Sequence, residues 1–417
     1  MTENAQARST TASAARNAVA AFERLLDGGP GDPGPTYAAL RAAGVVWSPA
    51  FDGWVVSRYH DVKRVLTDEA CFLPLAFGAG SSIIHGRTIL HMEGDEHRKK
   101  VGVLARQLRN TRLLEGVQRD YVRAKAKDYL DAIEPGAPVD MRPAFTTPLP
   151  LDVTAWLMDI AEAPDFRSLY DTIVAAGASN LRGDPEVQRR GEEARATLFD
   201  FVTPLIAKRR VDPGPDLLST LCSTEFEGTR LSDDEIRSFC SFLLAAGVET
   251  TDRALSSLLN LLWQRPEVWE MLRGRRDLIT AVCAEGLRLA PPVHALSRGV
   301  VADTEIDGTT IRAGERVVAI MGSANRDPEV FDDPDHFDPV RFAENPGREF
   351  GSRAQILSFG YGTHICTGSQ LAKMEMIEGV GMLLDRFPTV RFADGIPDDR
   401  GYVLRSPEHL RVVVGSA

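Results

Sequence analysis

The chain has 417 residues, 43% hydrophobic and 26% charged, which is the balance of a soluble globular protein large enough to bury an extensive core. Its net charge of −11 argues against general binding to nucleic acid or an anionic membrane. No apolar run reaches transmembrane length, and five scattered cysteines without a CxxC pair suit a reduced, cytoplasmic protein without disulfides.

Residues 1–20 are rich in Ala, Thr and Ser and lack the apolar core of a signal peptide, so they read as a disordered lead-in, with residues 21–417 as one domain. A short helix is expected over 16–29, ended by the Gly/Pro-rich stretch 28–34. Val45-Val46-Trp47 and Trp54-Val55-Val56 flank Asp52-Gly53, a hairpin signal. The apolar, non-periodic stretch 71–92 reads as a long loop, a feature often tied to function.

Residues 97–112 carry Arg98, Lys99, Lys100, Arg106, Arg109 and Arg112 with no acidic residue among them. On charge alone a solvated helix face is the plainer reading. From 113 to 230 the pattern is helical, broken at Pro135-Gly136, Pro164 and Asp212-Pro213-Gly214.

Ser232-Asp233-Asp234-Glu235 has the form of a capping box, and no proline follows until Pro266. That predicts a buried helix of about 30 residues. Inside it lies Ala246-Gly247-Val248-Glu249-Thr250-Thr251. A buried acid there needs partners or a task, and Gly with Thr weakens the local hydrogen-bond ladder. A further helix over 277–290 holds Glu285 and Arg288 one turn apart and ends at Pro291-Pro292. Strands are expected from Val300 to Ile320, with a hairpin at Asp307-Gly308, and a last hairpin near Ser406-Pro407.

The most informative stretch is Phe359-Gly360-Tyr361-Gly362-Thr363-His364-Ile365-Cys366-Thr367-Gly368, directly before an amphipathic helical pattern. Its glycines permit positive φ and close approach of backbone to a flat object. A cysteine before a helix has its thiolate favoured by the helix dipole. Haem iron bound through a cysteine thiolate suits such a loop.

The stretch resembles the haem-binding signature of the cytochrome P450 family in its soluble bacterial form, and the resemblance extends from about residue 35 to the end. It implies a mainly α fold with small β-sheets, a triangular helical prism around one haem b, with Cys366 as the axial iron ligand. It implies that Glu249 and Thr250 are the acid and alcohol that deliver the protons needed for O2 cleavage. His97, Arg298 and His364 would bind the haem propionates. The family's Arg four residues after that His is here Val101, so Lys100 or another base would have to stand in. Glu285, Arg288 and Arg341 would form a structural network behind the cysteine loop. An acidic iron–sulfur ferredoxin would dock on the basic segment 98–112, drawing electrons from NAD(P)H through a separate reductase. Ile83, Ile84, Phe242, Ala245, Ala246, Val293, His294 and Leu296 are candidates for the substrate pocket, with Tyr402 weaker. The reaction implied is hydroxylation, epoxidation or O-dealkylation of a mostly apolar small molecule. The rivals are a peroxide-driven haem-thiolate enzyme and a haem-binding sensor or carrier.

Overall fold

The structure, a computed structural model, describes residues 2–26, 29–75, 84–160, 166–179, 184–401 and 403–416. Helices dominate, and the chain divides into two compact units, each assembled from separated stretches. The first comprises residues 1–74, 256–366 and 390–412, the second 75–255, 367–389 and 413–417.

The first unit is built on a five-stranded sheet in the spatial order 46–48, 53–56, 316–319, 296–300, 72–74. The hairpin signal at Asp52-Gly53 is realised: Val46 faces Val55 and Ser48 faces Gly53, with Asp52 at φ 48°. A Cβ on Gly53 would come within 2.9 Å of the Arg316 carbonyl oxygen, so glycine is what lets the neighbouring strand pair there. The second hairpin also forms where expected, with Asp307 and Gly308 both at positive φ between strands Thr304–Ile306 and Thr309–Ile311. Ser406-Pro407 pairs with Asp399-Arg400.

The amino terminus differs from expectation. A helix runs over Thr2–Leu26 instead of a lead-in followed by a short helix. Alanine-rich sequence has the highest intrinsic helix propensity, and low hydrophobicity does not cancel it. The last turns of this helix are anchored by Ala18, Val19 and Phe22, which join Tyr37, Leu40, Val55 and Val318 in one apolar cluster.

The second unit is helical. Helix Pro185–Val211 packs on Phe166–Val174 and on Asp233–Leu244, and Ser369–Arg386 lies along Arg119–Asp131. That last pairing is fastened by Glu378, buried, which takes Arg119 at 2.5 Å and Arg123 at 2.7 Å. The capping box forms as read: Ser232 Oγ accepts from the Glu235 amide at 3.2 Å while Glu235 Oε2 accepts from the Ser232 amide at 2.8 Å. The long helix does not run evenly. Asp233–Leu244 passes into a π-helical turn, Ala245–Glu249, before Thr250–Trp263 resumes α geometry. The break falls on the Gly-Thr stretch where the ladder was expected to be weak.

Candidate active site

The cysteine loop belongs to the first unit. Gly360 and Gly362 have φ of 72° and 75°, a left-handed backbone that favours glycine at both positions. The Cys366 amide closes the loop on the Phe359 carbonyl at 2.8 Å. Helix Tyr59–Thr67 supports it from the side. Thr67 stands 3.1 Å from where a Cβ on Gly362 would lie, and Lys63 sits over the Tyr361 ring at 4.1 Å. Cys366 is exposed, whereas Cys222, Cys240 and Cys283 are buried and Cys71 is half-buried. Burial pushes the thiols of Cys222 and Cys240 up, to about 11 and about 12. They are therefore inert thiols, and Cys366 is the one placed to meet a ligand.

Behind the loop lies a buried polar framework. Glu285 and Arg288 are wholly buried and joined by two hydrogen bonds of 2.8 Å. Arg288 also donates to the carbonyls of Asn325, Pro334 and His336. Arg341 reaches Glu285 at 3.2 Å, and the Asp338 amide donates to the same carboxylate at 2.9 Å. Asn325 then carries the framework forward. Its side-chain amide donates to Ser358 Oγ at 2.8 Å and its oxygen accepts from the Leu357 amide at 2.7 Å. Ser358 Oγ in turn donates to the Leu287 carbonyl at 2.7 Å. Three of these residues were expected to meet. Asn325 and Ser358 connect them to the start of the cysteine loop, and Ser358 is the one that sequence reasoning missed.

Arg298, 5% exposed, sits mid-strand opposite Val317 and Pro74. Burial pushes its pKa down to about 10, with Glu69 opposing. Among the described residues its guanidinium makes one hydrogen bond, to the Ser297 carbonyl at 3.1 Å. A buried five-donor fork with one bond made is suited to a carboxylate. His364 lies in the loop's short 3₁₀ turn, half-buried. His97 is buried in helix Gly94–Leu108 of the second unit.

Also in the second unit, the Thr250 hydroxyl donates to the Ala246 carbonyl at 2.7 Å. Glu249 is buried and held at both oxygens. Arg253 Nε donates to Oε1 at 2.7 Å, and the Tyr170 hydroxyl donates to Oε2 at 3.0 Å. Gly247 lets the helix come close to Thr154, whose Oγ1 would lie 3.0 Å from an added Cβ. Phe242, Ala245, Ala246 and Thr250 fall on one helix face and are half-buried, while Ser241, Leu244 and Val248 behind them are buried. That open stripe is what a helix bordering a ligand space presents.

Several expectations are corrected. Ile84 is fully buried, close enough to Gly191 that a Cβ there would stand 2.8 Å from its Cδ1, so it packs helices rather than lining a pocket. His294 is buried, with Nδ1 2.6 Å from the Tyr37 hydroxyl, and belongs to the first unit's core. Val293, which bridges to Leu404, and Leu296, which pairs with Ala319 in the sheet, are half-buried, and this backbone pairing does not exclude their side chains from a pocket. Ile83 and Tyr402 lie outside the described residues. The basic segment is also less free than its charge suggested. Arg98 pairs with Asp95 and Glu227, Lys99 with Asp95, and Lys100, nearly buried, with Glu235 at 2.7 Å. Lys100 is thus committed to the capping box of the long helix and does not stand in for the Arg absent at Val101. Arg109 and Arg112 are exposed, and the Arg106 side chain lies outside the described residues.

A family model described as cytochrome P450 matches residues 180–395. The chain is 33% identical to nocardicin C N-oxygenase of Nocardia uniformis subsp. tsuyamanensis over 91% of its own length and 94% of that protein. This chain belongs to the cytochrome P450 family. It is 31% identical to erythromycin C-12 hydroxylase of Saccharopolyspora erythraea, covering 91% and 93% of the two chains. Among solved structures, CYP109E1 from Bacillus megaterium in complex with testosterone superposes with a TM-score of 0.80 at 26% identity, covering 92% of this chain and 99% of that one. P450 membership makes the chain a monooxygenase whose prosthetic group is haem b. The donor set fits that group: an exposed thiol on a glycine-cradled loop, and the underused guanidinium of Arg298 for a propionate. Among the described residues no helix is long and apolar enough to cross a membrane, and no cluster of three metal-ligating side chains occurs.

Proposed function

We propose that the enzyme inserts one oxygen atom of O2 into a mostly apolar small molecule, with electrons from NAD(P)H passing through a ferredoxin reductase and a ferredoxin. The observation that carries this reading is the exposed Cys366 thiol on its braced loop. Bound haem supplies the iron at which O2 is reduced, with the Cys366 thiolate donating electron density to it. The protein's own groups do the rest. Arg298, His364 and His97 hold the propionates through charge-assisted hydrogen bonds. Glu249 takes up protons and Thr250 passes them on, its hydroxyl turning from the Ala246 carbonyl. Phe242, Ala245 and Ala246 provide apolar contact for the substrate.

The relatives act on, or are seen with, molecules as unlike as nocardicin C, erythromycin and testosterone, which supports a substrate space tuned by shape within a shared fold. Because Arg98, Lys99 and Lys100 are ion-paired within the chain, ferredoxin docking rests mainly on Arg109 and Arg112. The pathway is expected to be cytoplasmic.

The test is optical titration of haem-loaded protein against a diverse compound library. The expected result is a saturable low-spin to high-spin shift with one compound class, and a red-shifted Soret band of the reduced, carbon-monoxide-bound form. A carbon monoxide complex without that thiolate band would overturn the assignment of Cys366 and the function with it.

A further inference from the structure

Glu249 is the proton-carrying acid of the proposed function, and the role of Tyr170 rests on that reading. The two oxygens of Glu249 are held by quite different elements. Arg253 lies four residues further along the same helix, so its bond to Oε1 is a contact local to that helix. Tyr170 stands 79 residues earlier, on helix Phe166–Val174, and its 3.0 Å bond to Oε2 is a tertiary contact. The ring is anchored for this. Tyr170 is 2% exposed and packs with Leu151, Val174 and Val248, with Phe166 and Ala245 at the margin of the cluster.

The surroundings leave Tyr170 one part to play. Asp252, on the next turn, is fully buried, accepts from Thr146 Oγ1 at 2.6 Å and is paired with Arg142. Two carboxylates therefore face two guanidiniums, and charge is balanced without the phenol. Burial first, then Glu249 and Asp252, hold the Tyr170 hydroxyl well above its usual pKa, so it remains a neutral donor. Asp171 next to it is also raised, first by burial and then by Glu249, against the pull of Arg167.

We propose that Tyr170 is a positioning residue for Glu249: its hydroxyl fixes Oε2, and with it the plane of the carboxylate, from helix Phe166–Val174. A carboxylate held by Arg253 alone can rotate about its Cγ–Cδ bond and swing on the guanidinium. Two anchors on different helices remove that freedom and keep one orientation for proton transfer. The helix carrying Tyr170 also packs on Ala245, a residue of the half-buried stripe, so the orientation of the acid is tied to the packing beside the substrate space.

The consequence is a matter of proton timing. Each NADPH gives two electrons. With two protons and O2 these yield hydroxylated substrate and water when transfer is timely, or hydrogen peroxide when it is not. The test uses full-length, haem-loaded protein with a surrogate ferredoxin and reductase, and a compound found by the spin-shift titration. Four proteins are compared: wild type, Tyr170→Phe, Glu249→Ala and the double variant. Tyr170→Phe keeps the ring in its apolar cluster, so folding is not at stake. The expected result is an about three- to tenfold rise in peroxide formed per NADPH, with the compound's dissociation constant unchanged and a larger solvent isotope effect on NADPH oxidation. Added to Glu249→Ala, the same change should have no further effect. An unchanged peroxide share, or an equal rise in the Glu249→Ala background, would overturn the proposal. Thermal unfolding of the same four proteins gives a readout free of turnover: the Tm lost on Tyr170→Phe should disappear once Glu249 is gone. Should wild type oxidise none of the compounds, the functional reading fails, and strictly additive Tm losses would independently sink the Tyr170–Glu249 link.

Discussion

The Thr250 hydroxyl donates to the carbonyl of Ala246, one turn back, at the edge of a π-helical turn. A threonine bonded back to a carbonyl competes with the helix ladder and widens it locally. The same hydroxyl is the nearest alcohol in sequence to Glu249, so it has two uses: it satisfies a carbonyl at rest and is free to exchange that bond during proton transfer.

Replacing Thr250 by Ala removes both. Stability should change by less than about 1 kcal/mol, because one neutral, half-exposed hydrogen bond is lost. Coupling should change far more, with product per NADPH falling and peroxide rising, measured with surrogate redox partners. Unaltered coupling would count against Thr250 as the proton-delivering alcohol and favour a peroxide-driven enzyme.

The Glu285–Arg288 pair is a structural device, and its loss should show as such. Removing one member of a buried pair leaves an uncompensated charge, at a cost of about 3–5 kcal/mol. Glu285→Ala strands Arg288 and also releases Arg341 and the Asp338 amide. The expected outcome is a large fall in Tm and in the fraction of protein showing the thiolate-type carbon monoxide band. Asn325→Ala should act in the same direction but more mildly, since it unties Leu357 and Ser358 while sparing the ion pair. Loss of the band without loss of Tm would place the effect at the cysteine loop alone.

What the sequence made legible was local. The Asp52-Gly53 and Asp307-Gly308 hairpins, the Ser232 capping box and the glycine-cradled cysteine loop are each written in a handful of consecutive residues whose chemistry admits few alternatives. Glu285 and Arg288 are a turn apart and could be paired on paper. The contacts of Glu249 with Tyr170, of Asp252 with Arg142 and of Lys100 with Glu235 join residues on separate helices, and no spacing announces them. For the same reason the basic segment looked free: Glu227 and Glu235, which neutralise part of it, lie more than a hundred residues away. Ile84 was misplaced by its apolarity alone, since an apolar side chain next to a loop suits a pocket and a helix contact equally well.

His85 gives the second unit a sensitivity to acid. Its Nδ1 lies 2.9 Å from Ser241 Oγ in a buried setting, and Gly177 leaves room for the ring, whose Nε2 would stand 2.8 Å from a Cβ there. Burial, with repulsion from Arg195 and His91, pushes its pKa from 6.5 down to about 4. The unfolded chain therefore binds a proton near pH 6.5 that the folded chain refuses until about pH 4, so stability is lost as pH falls across that window. The loss attributable to this one group is of order 3 kcal/mol. His85→Gln should flatten the fall of Tm between those pH values relative to wild type. An identical pH profile in the variant would show that the ring protonates without penalty.

Glu375 works in the opposite sense. It is fully buried in helix Ser369–Arg386, and its Oε2 has no hydrogen-bond partner among the described residues. Burial alone raises its pKa from 4.5 to about 8. The folded protein keeps a proton that the unfolded chain releases near pH 4.5, so stability declines as pH rises from there through about 8. Glutamine has nearly the shape of the protonated acid and cannot ionise. Glu375→Gln should therefore match wild type near pH 5 and exceed it increasingly toward pH 9, by an amount of order 5 kcal/mol at most. Thermal unfolding of both haem-loaded proteins across that range decides the point. A Tm difference that stays constant with pH would mean that Glu375 is ionised in the folded state and stabilised by a partner.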